Sequence, residues 1–455
     1  MKKLFSHFKL NNLIKNKRGG LLIYVMVFGS VVFTLIITGV SGYAIFENKA
    51  SNRKYERDMA FHIAEAGINY YRWHLAHNPT DYTDGTGVVG PYIHEYFDKD
   101  NNLIGHYSLA IDEPLSGSSV ITVRSTGYTI VQPESKRTIQ VRVGFPALTD
   151  YTFLSHAGMN FSFTSVVHGA VHSNGEIRFD GETDSWVDSH VRVSGGGGPK
   201  SFWRYPVPAI DFYSVTSDLA SIRDSAEDEG IHLTSSGSEG WHIVFDGNNF
   251  DLYRVNSRDC YYGDGRWRRR RHNWYWQGDV YCYDIGNESF VDNYDIPDNG
   301  AIFVEDDLWV EGVVDGRVGI GVGSFPVQTP YHNIMIADDI TYTAQSSDDV
   351  LGLLSQGEII VPYEVPDDMT IHAAMLSQFE SIGRPYYIDD IKSSLTIFGS
   401  QISYEGGGWK WVSGYGHVIS GFVDTIHSYD GNLKYFPPPG FPVGTTYELI
   451  SWEEI

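Results

Sequence analysis

An uncharged run of 27 residues, from Gly20 to Phe46, constrains this chain more than any other feature. A helix needs about 20 apolar residues to cross the hydrocarbon core of a bilayer, so the run is long enough to span it. A buried core helix and a secretory signal peptide are the alternatives, but the apolar region of a signal peptide is only about 7–15 residues long. The length of the run and its purely basic preceding flank favour a membrane span over residues 20–46.

The charges that flank the span predict its orientation. The first 19 residues contain no acidic residue and carry +6 from Lys2, Lys3, Lys9, Lys15, Lys17 and Arg18. By the positive-inside rule this end stays in the cytoplasm, and the remainder of the chain lies on the other side of the cytoplasmic membrane. The net charge of the whole chain is −24, and without those six residues 27 basic residues face 57 acidic ones. Such a surface repels nucleic acid and phospholipid headgroups, so we expect no nucleic-acid partner for the domain as a whole.

The helical pattern continues beyond the membrane edge, through residues 47–78. Apolar and small residues recur there at spacings of three and four, which places them on one face of a helix: Ala60, Ile63, Ala64, Gly67, Ile68, Tyr71 and Leu75. Asn78 and Pro79 end the pattern. A helix from Gly20 to His77 would be roughly 85 Å long at about 1.5 Å per residue. Half of it would lie in lipid and half would support an exported domain.

Three segments in order resemble the N-terminus of PilX-type minor pilins and related pseudopilins of type IV filaments: KNKRGG, the apolar run, and AFHIAEAGINYYRW. The resemblance covers residues 1–77. It implies that residues 1–19 are a basic prepilin-type leader that a prepilin peptidase removes by cutting after Gly19 (or Gly20). It also implies that the helix beginning at Gly20 or Leu21 packs with other pilin subunits in a filament core and is extracted from the membrane by the pilus assembly machinery.

One position departs from the pattern of the major pilins, which carry glutamate at the fifth mature position. Here that position is Tyr24 (or Val25 with the later cut). A subunit without this carboxylate is poorly suited to repeat along a filament, so the resemblance implies a tip, priming or low-abundance subunit. Glu65 belongs to the AEAG box that matches the family's small-residue segment. Its alternative interpretation is an ordinary solvent-facing carboxylate.

The exported part is predicted to be β-rich. Alternating polar and apolar residues between Gly105 and Gly144 predict an antiparallel sheet within residues 79–150. Short strands separated by glycine, asparagine and aspartate turns fill residues 151–455 and predict a β-solenoid, with a β-sandwich as the alternative. HSNGEI, PAIDF, IFVEDDLWVEG and YELISWEEI also resemble a β-solenoid domain found behind such N-termini. The expected fold class is therefore α+β at the N-terminus, then mainly β.

Two insertions interrupt the β-rich part. Residues 210–230 predict a helix that Asp211 caps and Gly230 ends. Residues 260–282 lie between the two cysteines of the chain, Cys260 and Cys282, which an exported domain could join in a disulfide. The enclosed segment is a candidate ligand loop because basic and aromatic side chains lie together in it: Arg268, Arg269, Arg270, Arg271, Trp274 and Trp276. The alternative is a disulfide-pinned hairpin whose arginines pair with carboxylates of the same domain.

No motif for catalysis, a metal or a cofactor stands out, so we expect no enzymatic activity, metal or cofactor. Aspartates 306, 307, 338 and 339 could form a polysaccharide-cleaving site, although turn residues are the simpler interpretation. The sequence predicts a minor pilin or pseudopilin-like subunit of a type IV pilus or related secretion filament. Its head would be displayed at the cell surface for assembly, priming or adhesion to a glycan or other surface ligand. A membrane-anchored adhesin that never enters a filament, and a carbohydrate-active enzyme, are the alternatives.

Overall fold

The computed structural model describes residues 17–455, apart from 115–119, 145–147, 211, 213–214, 271–272, 345–348, 414–416, 435 and 443–446. The side chains of residues 17–19, 215–218, 269–270 and 273–275 also lie outside the description. The chain divides into two compact units, the smaller formed by residues up to 111, 123–141 and 452–455. Residues 1–16, most of the predicted leader, lie outside the described residues.

The smaller unit is built on one helix and one sheet. Helix α1 runs without interruption over Lys17–His77, and its Gly20–His77 part is long and apolar enough to cross a membrane by length and composition. Four strands follow it, and the last strand of the chain joins them: β1 (Tyr92–Phe97), β2 (Leu103–Asp112), β3 (Ile121–Thr129), β4 (Arg137–Gly144) and β29 (Glu448–Glu454). The sheet order is β1-β2-β3-β4-β29. The predicted long helix followed by an antiparallel sheet is confirmed.

The final strand is placed differently from the prediction. All of residues 151–455 are predicted to belong to the β-rich exported domain, but β29 hydrogen-bonds beside β4 at the edge of the N-terminal sheet. The main-chain N–H of Ile455 donates to the carbonyl of Thr138 at 3.0 Å, and Gln140 Nε2 donates to Glu453 Oε1 at 2.6 Å. Sequence order hides this pairing, because the two strands lie about 300 residues apart and only spatial closure brings them together.

The larger unit contains the remaining strands and a second helix. Its first strands are β5 (Phe153–Ser155), β6 (Met159–Phe161), β7 (Ser165–His168), β8 (Val171–Ser173), β9 (Ile177–Phe179), β10 (Glu182–Thr183), β11 (Val187–Ser189), β12 (Val193–Ser194) and β13 (Trp203–Arg204). Helix α2 (Val215–Asp228) follows, then β14 (Ile231–Leu233), β15 (Gly240–Gly247), β16 (Asn249–Arg270) and β17 (Asn273–Asp295).

The later strands of this unit are short and closely spaced. They are β18 (Ala301–Val304), β19 (Leu308–Val314), β20 (Arg317–Val322), β21 (Ile334–Tyr342), β22 (Val350–Ser355), β23 (Ile359–Ile360), β24 (Asp368–Ser377), β25 (Ile382–Gly383), β26 (Ile391–Ser403), β27 (Lys410–Val412) and β28 (Val418–Ser428). The prediction that the region after the N-terminal sheet is mainly β is confirmed.

Parallel pairing stacks these strands. β18, β20, β22, β24, β26 and β28 pair in that order, each parallel to the next. A second row runs through β19, β21, β23 and β25, which aligns Leu308, Ile334, Ile359 and Ile382 in one buried column. A β-sandwich is built from antiparallel strands, whereas this pairing stacks successive turns of the chain. The intervals between aligned residues differ from step to step, which explains why the sequence shows no strict period.

The predicted helix of the first insertion is present as α2, although Asp211, the predicted cap, lies outside the described residues. Leu219, Ile222 and Ala226 of α2 are buried in a cluster that also contains Phe303 and Leu354 of the parallel stack. Their three- and four-residue spacing puts all three on the face that contacts the strands.

Candidate functional site

The small-residue segment of α1 is where the helix meets the sheet. The side chains on one face of the helix have no exposed surface: Ala60, Ile63, Ala64, Tyr71 and Leu75. This is the face that the spacing of apolar residues predicts. Burying such an apolar face contributes about 25 cal/mol per Å² and stabilises the packing of the C-terminal half of the helix on the sheet. Thr129 Oγ1 adds a hydrogen bond of 2.5 Å to Glu56 Oε2 at the margin of this face.

Glycines bring the helix backbone into contact with the strand backbone. A Cβ on Gly127, in the middle of β3, would lie 2.1 Å from the carbonyl oxygen of Ala60 and 2.4 Å from the amide nitrogen of Ala64. A Cβ on Gly105 would lie 2.5 Å from Ile63 Cδ1 of the helix, and one on Gly67 would lie 2.3 Å from Ser125 Oγ of the sheet. The AEAG box and these glycines therefore form a close helix–sheet seam, which larger residues could not form.

The N-terminal half of α1 has no such partner among the described residues. Leu21, Tyr24 and Val25 are more than 60% exposed, as are most large apolar residues up to Phe46. Inside this half the hydroxyls of Ser30, Thr34 and Thr38 donate to main-chain carbonyls three or four residues earlier, at 2.7–2.8 Å. These bonds leave little polar surface unsatisfied, as a helix in a bilayer requires.

The predicted processing and core residues fall in this exposed half, except for Glu65. Gly19 and Gly20 lie within α1, three residues or fewer from its first described residue. Glu65 is exposed and its Oε2 lies 3.5 Å from His62 Nδ1, so it faces away from the helix–sheet seam. This is the placement that its alternative interpretation, a solvent-facing carboxylate, predicts.

A carboxylate lies just beyond the C-terminal end of helix α1. Asp81 accepts hydrogen bonds at 2.7–2.9 Å from the main chain and hydroxyl of Thr83 and from the main chain of Gly85, and its Oδ2 lies 3.0 Å from His74 Nε2. Tyr71 donates to the Asp81 carbonyl at 3.0 Å. The bonds from Thr83, Gly85 and His74 favour the ionised form and lower the pKa of the Asp81 carboxyl to about 2.

The C-terminal strand also contacts α1. The ring of Trp452 meets the ring of Phe61 edge to face, with centroids 5.8 Å apart. Arg137 on β4 forms an ion pair with Glu454. Residues 452–455 are therefore part of the unit that contains α1, and along the sequence most of the larger unit is inserted between segments of this unit.

The segment between the cysteines is a long hairpin. β16 and β17 pair antiparallel from Asn249 opposite Asp295 to Arg270 opposite Asn273, and a disulfide joins Cys260 to Cys282. The structure thus brings the two cysteines together. Of the candidate ligand residues, Arg268, Arg269 and Arg270 lie on β16, and Trp274 and Trp276 lie on the facing strand β17.

The middle of the hairpin, beside the disulfide, contacts the parallel stack. Tyr261 stacks on Tyr363 with ring centroids 3.9 Å apart, and its hydroxyl donates to Glu364. The carboxylate of Asp284 accepts from the main-chain N–H groups of Tyr363 and Glu364 at 3.2 and 2.7 Å. The Nε1 of Trp309 donates to the carbonyl of Tyr283 at 2.7 Å.

The tip of the hairpin, residues 264–278, stands apart from the stack. Within the described part of the chain no hydrogen bond, ion pair or ring contact joins it to residues outside the hairpin. Trp267, 51% exposed, and Trp276 meet edge to face with ring centroids 5.6 Å apart, and Tyr262 contacts both. Arg268 Nε donates to Gln277 Oε1 at 2.9 Å. The tip therefore presents cationic and aromatic groups to solvent.

The alternative interpretation is that arginines of this tip pair with the protein's own carboxylates. Arg266 and Arg268 do not support it, because no carboxylate lies within 4 Å of either side chain in the described structure. The side chains of Arg269, Arg270 and Trp274, and Arg271 as a whole, lie outside the described residues.

The aspartates considered for polysaccharide cleavage have other partners. Asp306 Oδ2 accepts from the main chain and hydroxyl of Ser236 at 2.8 and 2.7 Å. Asp307 pairs with Arg258 at 2.8 Å, and Asp339 Oδ1 accepts from the main chain of Thr370 at 2.7 Å. These three carboxylates therefore already have hydrogen-bond or ion-pair partners within the chain. Among the described residues no cluster of three histidine, cysteine or carboxylate side chains could hold a metal ion.

Sequence reasoning missed two features that the structure places at functional positions. Gly127 lies in the interior of an alternating strand, and glycine there is a known sign of close backbone approach. The sequence alone therefore contains the signal for Gly127. Asp81 follows the helix in an apparently ordinary loop, and no local pattern identifies its partners.

No protein-family model matches the chain, and no curated protein matches it. Among solved structures, the crystal structure of the competence-associated pilin ComZ from Thermus thermophilus matches with 12% sequence identity and a TM-score of 0.34. The match covers 88% of this chain and 97% of that chain. A likeness at this TM-score carries no argument about function, and the proposals below rest on the residues of this chain.

Proposed function

We propose that this chain is a pilin-like subunit of a type IV filament or a related secretion filament, anchored in the cytoplasmic membrane before assembly. One observation carries the proposal: a single 61-residue helix is bare and uncharged from Gly20 to Phe46 and buried on one face against a sheet from Ala60 to Leu75. An ordinary anchor needs only about 20 residues and no continuation into a folded domain.

The two halves of α1 would perform different tasks. The bare half would hold the subunit in lipid and then pack against the same half of neighbouring subunits, exchanging lipid contacts for helix contacts. The buried half would couple that packing to the sheet of the smaller unit. At Gly127 the backbones of helix and strand are in contact, with no side chain between them. The closing strand β29 adds a second attachment through Trp452.

The leader would control entry into the filament. The resemblance of KNKRGG to a prepilin leader supports a cut after Gly19 or Gly20, which would remove the six cytoplasmic positive charges. Those charges oppose extraction of the helix from the membrane, since each would have to cross the bilayer core. Tyr24 or Val25 at the fifth mature position supports a tip, priming or low-abundance subunit.

The larger unit would be the displayed head, with the hairpin tip as its contact surface. Its Arg266 and Arg268 carry a charge opposite to the net charge of the strongly acidic chain, and Trp267 beside them is exposed. An anionic glycan or an acidic protein surface is the partner that such a group fits. We propose a structural role and no catalytic one.

Shearing of intact cells tests filament entry. The full chain should appear in the sheared filament fraction together with the major pilin, and should remain in the membrane fraction when the prepilin peptidase gene is absent. A double Gly19→Val and Gly20→Val variant should also remain in the membrane. Gly39→Val is the matched control, because Gly39 lies in the same apolar run and has no neighbouring atom within 4 Å of an added Cβ. A chain that stays in the membrane in every strain would be a membrane-anchored surface protein instead.

A further inference from the structure

Two neighbouring cavities on the larger unit form a candidate groove. The first has a volume of about 930 Å³ and the second about 570 Å³. Asn160, Gly407, Gly408 and Lys410 line both of them, so the cavities adjoin at these residues. A site for one small molecule is normally a single cleft of about 300–1,000 Å³. Two adjoining cavities suit an extended ligand, such as several units of a chain.

The first arm of the groove is lined by aromatic rings. Phe161 contacts Phe153 edge to face with ring centroids 4.9 Å apart, and the Nε1 of Trp409 donates to Gln401 at 3.0 Å, so these rings are fixed. Phe163 lines the same arm and is 68% exposed. A large aromatic side chain left this exposed at a concave surface offers a flat apolar face to a ligand.

The second arm repeats this chemistry. Tyr281, Tyr283 and Trp411 line it, and Trp411 is 48% exposed while its Nε1 donates to the carbonyl of Arg384 at 3.1 Å. Glu358 also lines this arm, where it accepts a hydrogen bond of 2.9 Å from Ser381, and burial raises the pKa of its carboxyl. Flat rings spaced along a groove, with polar groups between them, match the alternating apolar faces and hydroxyls of a sugar chain.

The junction of the arms holds a cation without an anion. Lys410 is half-buried, and its ammonium donates to Thr164 Oγ1 at 2.6 Å and to the carbonyl of Val423 at 2.9 Å. No carboxylate lies within ion-pair distance of it in the described part of the chain. The other two cations of the groove do have partners: Arg178 pairs with Asp180 at 2.8 Å, and Arg384 pairs with Asp390 at 2.5 Å.

A half-buried charge without an ion-pair partner is unfavourable, and the pKa of Lys410 reflects this. Burial lowers the pKa of the Lys410 ammonium to about 8, with Asp424 acting weakly in the opposite direction. The neighbouring His427 is fully buried, and burial together with Lys410 lowers its pKa to about 3, so it stays neutral. A carboxylate brought by a ligand would remove this electrostatic cost, because opposite charges attract most strongly where water is excluded.

We propose that this groove binds an extended acidic glycan, whose sugar rings contact Phe163 and Trp411 in the two arms and whose uronic carboxylate pairs with Lys410 at their junction. The site lies wholly within the larger unit. It does not depend on whether the chain enters a filament.

Binding of uronic acid oligomers to the purified full chain in detergent tests the proposal. The probes are hexamers of galacturonic, glucuronic and mannuronic acid, each compared with its methyl ester, and the readout is isothermal titration calorimetry. At least one acidic hexamer should bind 10-fold or more tightly than its ester and more tightly than its own dimer, because the dimer cannot fill both arms. Failure of every acidic hexamer to bind better than its ester would overturn the proposal.

Single substitutions distinguish the contribution of the Lys410 charge to binding from that of the aromatic rings. Lys410→Met should remove the preference for the acid while leaving affinity for the ester unchanged, whereas Lys99→Met, at an exposed turn, should change neither. Phe163→Ala should weaken both ligands several-fold and, being at an exposed position, should leave the melting temperature unchanged. If Lys410→Met fails to fold, Phe163→Ala still decides the matter: unchanged affinity of that variant would contradict the proposed groove.

Discussion

Replacing Gly127 with alanine should separate the sheet from α1. The added Cβ would lie 2.1 Å from the carbonyl oxygen of Ala60 and 2.4 Å from the nitrogen of Ala64. Ordinary contact begins at 3.4 Å, so backbone must move by about 1.3 Å on one side or the other. Neither neighbour is a side chain that could rotate away.

The loss of stability in Gly127→Ala depends on how far these neighbouring atoms can move. Overpacking a core costs about 1–3 kcal/mol when side chains can adjust. Here only backbone can adjust, so we expect the upper end, about 3 kcal/mol, or roughly a 100-fold loss of hydrogen-exchange protection. Gly67→Ala should cost less, because the atoms it meets belong to the side chains of Ser125 and Tyr107 and alanine is the better helix former.

Hydrogen exchange followed by mass spectrometry measures this effect on the full chain in detergent. Peptides that cover residues 60–71 and β3 should lose protection, while peptides from the parallel stack should not change. Gly42→Ala is the control on the same helix, since nothing lies within 4 Å of its added Cβ. Undiminished protection of residues 60–71 in Gly127→Ala would refute the proposed close seam.

Three further outcomes are expected. In the folded chain the Asp81 carboxyl has a pKa of about 2, below its ordinary 3.8, so its stabilisation is complete above about pH 4 and is lost as the pH falls towards 2. Melting of Asp81→Asn should lack this acid-dependent step and cost about 1–2 kcal/mol at pH 7. A Cys260→Ser and Cys282→Ser double variant should lose roughly 3 kcal/mol of loop-closure stabilisation in the hairpin, seen as faster exchange of residues 264–278 only. Affinity of the groove for an acidic hexamer should fall as the pH rises through about 8 and the Lys410 ammonium deprotonates, with no such fall for the ester.

The N-terminal helix could be predicted from sequence because its signals are local. A 27-residue uncharged run, small residues at helical spacing and an Asn-Pro stop each act within a few residues, and the structure shows Ala60, Ile63 and Ala64 buried on the predicted face. The mainly β character of the head was also readable from its short alternating runs.

Long-range pairing could not be read in this way. The partner of β29 is a strand about 300 residues earlier, and the columns of the parallel stack have unequal spacing along the chain. The groove is the clearest case, because Phe163, Trp411 and Lys410 come from segments that lie far apart in sequence. Their chemistry appears only after folding brings them together.

The mass and N-terminal sequence of the mature protein, taken from membranes with and without a prepilin peptidase, test the central proposal most directly. A pilin-like subunit should begin at Gly20 or Leu21, and should keep Met1 when the peptidase is absent. A chain that begins at Met1 in the presence of an active peptidase would contradict the filament function and leave a membrane-anchored surface protein.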